Sequence, residues 1–351
     1  MRRLSWMFVI AAFFLVAAAC GDDDAAPTTT AAPVATAAPA ATAAPAAPEA
    51  AKVKVALIIG SARNDLGWSQ AGYEGALKLE EEGLIELEVI EALEFEAAAV
   101  RRVITPLLDE DFDLIIAHSF SYGDPVMELA PDHLDTAFAW AGGFGGIAEN
   151  VADYDQPFYE VSYLAGILAG GLSETGVLGG TAGFDIPVCH AMIQAFVLGA
   201  QEINPEAEIL STYIGSWEDV ALAKEAVLAQ AELGADQFIS CGVEAGTIEG
   251  ARATDSGALG YVVDQSSMAP DNIFGSMVWN LSETFRLMVA DVAAGTFNPA
   301  KFYQVGLADN GLSLQLNDQY PKEIPADAMA RYEEVLAEIM AGTFAVPFIM
   351  E

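Results

Sequence analysis

Aromatic rings and single carboxylates recur in a series of short segments of the chain. These are Ser61 to Trp68, His118 to Asp124, Gly183 to Pro187, Tyr213 to Asp219, Gly242 to Glu244, Asp264-Gln265 and Met277 to Asn280. The rings are Trp68, Phe120, Tyr122, Phe184, Trp217 and Trp279; the acids are Asp124, Asp185, Glu244 and Asp264, and Ser119 adds a hydroxyl. Offset stacking on such rings contributes roughly 0.5–1.5 kcal/mol per ring pair beyond burial. The carboxylates accept hydrogen bonds from ring N–H, amino or hydroxyl groups. Any one of these rings can equally fill a gap at the end of a sheet, but the set points to a site for a planar heteroaromatic solute.

Catalytic chemistry has less support. His118, His133 and His190 share no metal-ligand spacing, and there is no His-Glu-x-x-His or Cys-x-x-Cys. Ser119 and Asp124 lack a Gly-x-Ser-x-Gly elbow. The run Gly142 to Gly146 has no phosphate-binding helix after it and reads as a turn at a crossover. No Gly-x-x-x-x-Gly-Lys-[Ser/Thr] is present, so ATP hydrolysis is not expected of this chain. A non-enzymatic protein without metal or cofactor is expected. His118 stands at a strand end, either as a donor to solute or as a satisfied histidine of the pocket wall. The charge balance narrows the partners: Lys+Arg number 14 against 51 Asp+Glu, a formal charge of -37. Such a chain repels phosphate backbones and anionic lipid headgroups, which excludes nucleic acid as a partner.

The elements that must position these loops alternate. Strands are expected at Val53 to Ile59, Ile85 to Ile90, Phe112 to Ala117 and Ala137 to Trp140, with helices at Gln70 to Glu82, Phe95 to Leu108 and Pro125 to Ala130. A second series follows: helix Val161 to Leu172, strand Val177 to Thr181, helix Val188 to Ile203, strand Glu208 to Tyr213, helix Val220 to Leu233, strand Gln237 to Ser240, helix Thr247 to Thr254 and strand Leu259 to Val263. Buried apolar strands separated by helices build parallel α/β sheets. Solutes of such sheets bind outside the carboxyl ends of the strands, where the aromatic loops lie. Two successive sheets would set those ends face to face across a cleft.

The N-terminus has a different character. Met1-Arg2-Arg3, the apolar stretch Leu4 to Val16 and the small residues Ala17 to Ala19 before Cys20 read as a secretory signal. It resembles a bacterial lipoprotein signal, cut after residue 19 so that Cys20 carries the lipid. An ordinary secretory signal with an incidental cysteine is the alternative. Residues 20–51, rich in Ala, Pro and Thr, have no apolar period and are expected to form an extended, disordered tether. This would place a folded domain on the extracytoplasmic face of the cell membrane.

The block RNDLGWSQAGYEG (63–75) resembles the first motif of the basic membrane protein family of ABC-transporter substrate-binding lipoproteins, which includes purine nucleoside receptors. Similar blocks follow in family order: IIAHSFSYGDPVMELAP (115–131), YEVSYLAGILAGGLSETGVLGG (159–180), AFVLGAQEINPEA (195–207), GSWEDVALAKEA (215–226), LGAD (233–236) and GYVVDQ (260–265). The resemblance implies a type I periplasmic-binding-protein fold of two Rossmann-like parallel-sheet lobes joined by a hinge. Lobe 1 would span 52–156 and lobe 2 157–276, with 277–351 returning to lobe 1 as a crossover and C-terminal tail. By resemblance Trp68 takes the place of a phenylalanine that stacks on the base, Ser69 that of an asparagine, and Asp264 that of an aspartate bonding ribose or base. The family's pocket lysine is absent, its place falling near Val278-Trp279. That suits a free purine base or another uncharged heterocycle, and the Gly67-Trp68 form looks like the family's purine-base branch. The implied partners are a small purine-like solute, an ABC permease and a separate ATPase. The chain is expected to act as a monomer, and a solute-sensing receptor or a binder of a non-purine solute is the alternative. Cys189 and Cys241 would lie on adjacent strands if the strand order is the family's, which favours a disulfide; two separate buried thiols remain the other reading.

Overall fold

The computed structural model describes residues 52–91, 96–142, 148–298 and 300–350. The expected signal at 1–19, Cys20 and the tether to residue 51 lie outside them. In the first half, β1 (Val53–Ile59) leads to α1 (Trp68–Glu81), β2 (Ile85–Ile90), α2 (Ala97–Leu107), β3 (Leu114–His118), α3 (Gly123–Leu129), β4 (Ala137–Trp140) and β5 (Val151–Asp153). These strands form one parallel sheet in the order β2-β1-β3-β4-β5. The apolar runs Val55 to Ile59 of β1 and Leu114 to Ala117 of β3 are buried on both faces, as a parallel sheet covered by helices requires.

The second half contains α4 (Phe158–Leu172), β6 (Val177–Ala182), α5 (Pro187–Gln201), β7 (Glu208–Tyr213), α6 (Val220–Glu232), β8 (Gln237–Cys241), α7 (Glu244–Ala253), β9 (Gly257–Val262), β10 (Ile273–Trp279), α8 (Leu281–Ala293), β11 (Leu312–Leu316) and α9 (Ala326–Met340). Its sheet runs β11-β10-β9-β8-β6-β7, parallel except for the antiparallel edge strand β11. The fold is therefore α/β with two parallel-sheet lobes, as expected. Helix α4 is buried almost all round, and small residues let it meet α5 at backbone distance. A Cβ on Gly166 would stand 2.0 Å from the Phe196 carbonyl oxygen, and one on Gly199 1.9 Å from that of Tyr163.

The differences from the expected elements have local causes. Helix α1 begins at Trp68 rather than Gln70, because the Asp65 carboxylate accepts the backbone N–H groups of Gly67, Ser69 and Gln70 and starts the helix early. Helix α4 begins directly after Pro157, which has no N–H to lose at a helix start, and α7 begins at Glu244 rather than Thr247. Phe95, the expected start of α2, lies outside the described residues, as does most of the glycine run. Strand β5 has three residues, too short for an apolar period to announce it.

The chain passes between the sheets three times: at Tyr154 to Pro157 after β5, at Asn280 after β10, and through Tyr303 on the way back to β11. Tyr154 and Tyr303 pair side by side, which ties the first and third passages together. Of the segment 277–351, expected in the first lobe, only α8 packs against α1 and β1. Strand β11 rejoins the second sheet beside β10, and α9 packs on α4, because the alternating apolar face of β11 completes an otherwise open sheet edge.

Candidate functional site

The carboxyl ends of the two sheets enclose a cavity of about 290 Å³. That lies at the small end of small-molecule sites, which run from about 300 to 1,000 Å³. Trp68 stands at the start of α1, partly exposed to it, and is held from behind. Its indole N–H donates to the His118 carbonyl oxygen (3.1 Å), while His118 Nε2 lies 2.9 Å from the Trp68 carbonyl oxygen. A carbonyl only accepts, so Nε2 carries the proton and Nδ1 accepts from the Tyr154 hydroxyl at 2.6 Å. The two rings stack at 4.9 Å, and Trp279 lies 5.1 Å from Trp68 in a tilted contact. Burial holds the His118 imidazole neutral, its pKa pushed down to about 4. Of the two roles open to His118, the structure shows the satisfied wall histidine.

Trp217 enters from the second sheet between two glycine-bearing turns. A Cβ on Gly183 would lie 2.1 Å from its ring and one on Gly242 2.7 Å away. Gly242 also takes φ +77, a left-handed conformation that favours glycine. Phe184 meets Trp217 edge-on at 5.0 Å, and Phe120 of the first lobe meets it across the cavity mouth at 6.5 Å. The Gln265 side-chain N–H₂ donates to the Leu66 carbonyl oxygen at 2.6 Å, a second tie between the lobes.

Six of the expected residues line the cavity: Trp68, Ser69, Ser119, Phe120, Trp217 and Glu244. The others stand elsewhere. Tyr122 turns into the core beneath the first sheet, since the short 3-10 turn Phe120–Tyr122 points alternate rings outward and inward. Asp124 is exposed on the first turn of α3. Phe184, 38% exposed, backs Trp217 from outside, and Asp185 is exposed with His190 Nδ1 3.8 Å away. Trp279 is buried behind Trp68. Asp264 is exposed and engaged by its own lobe, accepting from the Gln315 amide (2.9 Å), the Ser266 N–H (3.0 Å) and the Ser276 hydroxyl (3.4 Å).

Residues that the sequence did not single out complete the wall. Asp65, Asp155, Gln156, Glu218 and Tyr261 all line the cavity. Asp155 and Gln156 belong to the first passage between the lobes. Burial raises the Asp155 carboxyl to about 8, with a smaller opposing effect from the Gln156 N–H it accepts and a push upward from Asp153. Gln156 is 2% exposed, and neither its side-chain oxygen nor its nitrogen has a hydrogen-bonding partner among the described residues. Burial in the cleft also raises Glu244, to about 7, and the nearby Asp65 charge adds to it. The one sequence signal for these residues is the Asp65-x-Gly-Trp spacing of a helix start; the passage after β5 carries none.

Cys189, in the first turn of α5, is bonded to Cys241, the last residue of β8, with their Cα atoms 5.4 Å apart. Strand β8 pairs with β6, the strand that leads into α5, so adjacency of strands brings the thiols together. Among the described residues no group of His, Cys, Asp and Glu is placed to hold a metal ion, and no helix is long and apolar enough to cross a membrane.

A family model described as ABC transporter substrate-binding protein PnrA-like matches residues 52–347. A Haloferax volcanii protein named "Putative ABC transporter glucose-binding protein" is 27% identical over 84% of this chain and 76% of its own length. A purine-binding protein of Brucella abortus is 28% identical, over 65% of each chain. Among solved structures, an ABC transporter solute-binding protein of Conexibacter woesei shares the fold with TM-score 0.65 and 24% identity, over 84% of this chain and 99% of its own. One from Aeropyrum pernix gives TM-score 0.70 at 21% identity, over 84% and 94%.

Proposed function

The chain belongs to the PnrA-like family of ABC transporter substrate-binding proteins, and from that membership we propose that its interlobe cavity captures a planar heteroaromatic solute, a purine base in the first instance, for delivery to a membrane permease. The observation that carries this reading is the pair of indoles, Trp68 and Trp217, presented from opposite lobes to a cavity of about 290 Å³. Solute entering between the lobes would stack on Trp68 and draw the loops of Phe120 and Trp217 together, since only the closed arrangement offers both walls. The closed form would then dock on the permease, whose separate ATPase supplies the energy. Cys20 would carry the lipid that holds the protein on the extracytoplasmic face, with residues 21–51 as tether.

A thermal-shift screen of purine bases, nucleosides, pyrimidines and monosaccharides tests the reading. A bound solute raises stability by RT ln(1 + [L]/Kd), about 2.7 kcal/mol at a hundredfold excess over Kd. Purine bases are expected to raise the melting temperature and monosaccharides to leave it unchanged. A shift with glucose and none with any heteroaromatic ring would refute the assignment.

A further inference from the structure

Four carboxylates face the cavity: Asp65, Asp155, Glu218 and Glu244. No lysine or arginine lines it among the described residues. The nearest cation in sequence, Arg63, turns away, bonded to Glu91 at 2.8 Å and laid over the Tyr73 ring at 4.8 Å. The only histidine of the wall is neutral, with both ring nitrogens committed to Trp68 and Tyr154. The rings of Trp68, Phe120, Trp217 and Tyr261 add the negative faces of their π-systems. The wall thus presents acceptors and electron-rich faces with no positive group to answer them.

An acidic cluster alone would say little, but Gln156 stands beside Asp155 with an unpartnered amide, buried and on the cavity wall. A side-chain amide stripped of water and left unpaired loses free energy unless a ligand supplies its partners. Its oxygen accepts and its nitrogen donates, as the edge of a substituted heterocycle does.

We propose that the cleft selects a positively charged heteroaromatic solute, a ring bearing a fixed or protonated cationic nitrogen, held between the aromatic faces and the carboxylates of Asp155 and Glu244, with Gln156 reading its polar edge. The proposal rests on the reading that the cavity binds a planar ring, and adds its charge. The ionisation of the two acids supports it. Asp155 is faced by Asp153 of β5, by the Tyr154 hydroxyl just after β5 and by the Tyr261 hydroxyl of β9; Glu244 of α7 is faced by Asp65 before α1, by Gln265 and by Tyr261. With only acids and neutral groups around them, Asp155 holds its proton at neutral pH and Glu244 is partly protonated there. A cation would favour their ionised forms, so its binding releases protons and tightens as pH rises.

Calorimetric titration of the whole chain with two matched pairs tests this: 7,9-dimethyladeninium against 9-methyladenine, and 1-methylnicotinamide against nicotinamide. In each pair the cation is expected to bind about tenfold more tightly at pH 7.5, with heats that vary with buffer ionisation enthalpy because protons leave. Cation affinity should rise from pH 6 to pH 9. Glu244→Gln and Asp155→Asn should each lower cation affinity about tenfold more than they lower that of the matched neutral rings, with thermal melts showing that both variants fold. Tighter binding of the neutral member in both pairs, or cation affinity indifferent to pH and to both substitutions, overturns the charge selection and leaves the heteroaromatic reading standing. Failure of all four rings to bind overturns both.

Discussion

Breaking the Cys189–Cys241 bond is expected to remove about 4 kcal/mol of stability, and the magnitude follows from the chain length it closes. The two cysteines are 52 residues apart. Closing a loop of that size removes about 14 cal/mol/K of entropy from the unfolded chain, which at 298 K is about 4 kcal/mol. In the folded protein both sulfurs are buried, Cys189 completely and Cys241 at 3% exposure. Two variants separate the cross-link from the packing. Reduced wild-type protein keeps the sulfurs and should lose about 4 kcal/mol; the double variant C189A/C241A should lose about 1 kcal/mol more, for the volume removed. The assay is urea denaturation followed by far-UV circular dichroism. The slope of stability against urea should also steepen when the bond is broken, because an uncrosslinked chain exposes more surface. The loop spans α5, β7, α6 and β8, so its loss also loosens the turns at Gly183 and Gly242 that grip Trp217, and solute affinity should fall with stability. A loss under about 1 kcal/mol with unchanged slope would refute the reasoning.

Trp68→Ala should weaken solute binding by about 1–3 kcal/mol, the usual worth of an aromatic platform under a base, read by fluorescence titration, while Trp68→Phe keeps most of it. Gly72→Ala would put a methyl group 2.5 Å from the His118 ring; overpacking of this kind costs about 1–3 kcal/mol, and by tilting His118 it should also weaken solute binding. The pH profile of urea midpoints combines opposing slopes, and with Glu244 raised to about 7 alongside Asp155 it should decline from about pH 4.5 to 8, most steeply just above pH 6.5 where His118 no longer opposes. His118 is depressed from 6.5 to about 4, so its contribution is complete above pH 6.5 and is lost as pH drops toward 4. Asp155 is raised from 3.8 to about 8, so the folded state holds a proton that the unfolded state releases, and stability declines as pH climbs between those values. Asp155→Asn should remove the decline above pH 7, leave the share of Glu244 below it, and stabilise the solute-free protein at pH 8, even as it impairs the site.

The alternation of strands and helices was legible along the chain because parallel strands buried on both faces must be continuous apolar runs. Val55 to Ile59 and Leu114 to Ala117 are such runs, whereas the three residues of β5 are too few to show a period. Trp68, Phe120 and Trp217 were legible for a related reason: an aromatic ring in a polar loop at a strand's carboxyl end stands out against its neighbours. Tyr122 and Trp279 looked the same in sequence and fold inward, since which face of a turn a side chain takes depends on the backbone around it. Asp264 was expected at the solute, but Gln315, which occupies its carboxylate, arrives on β11 from 51 residues away.

By itself the sequence determined the α/β class and the order of the elements from β1 to β9, β5 excepted, because these depend on local period; the absence of a pocket lysine came from the family resemblance, and β10, α8, β11 and α9 were not legible in it. Only the tertiary structure decided that Asp65, Asp155, Glu218 and Glu244 converge on one cavity with Gln156 unpaired among them. Those residues come from a helix start, a passage between lobes, a loop and a second helix, and nothing local marks them as neighbours. Their convergence follows from the strand order and from the three passages that set the two sheets end to end, and burial there, rather than residue type, changes what the acids do.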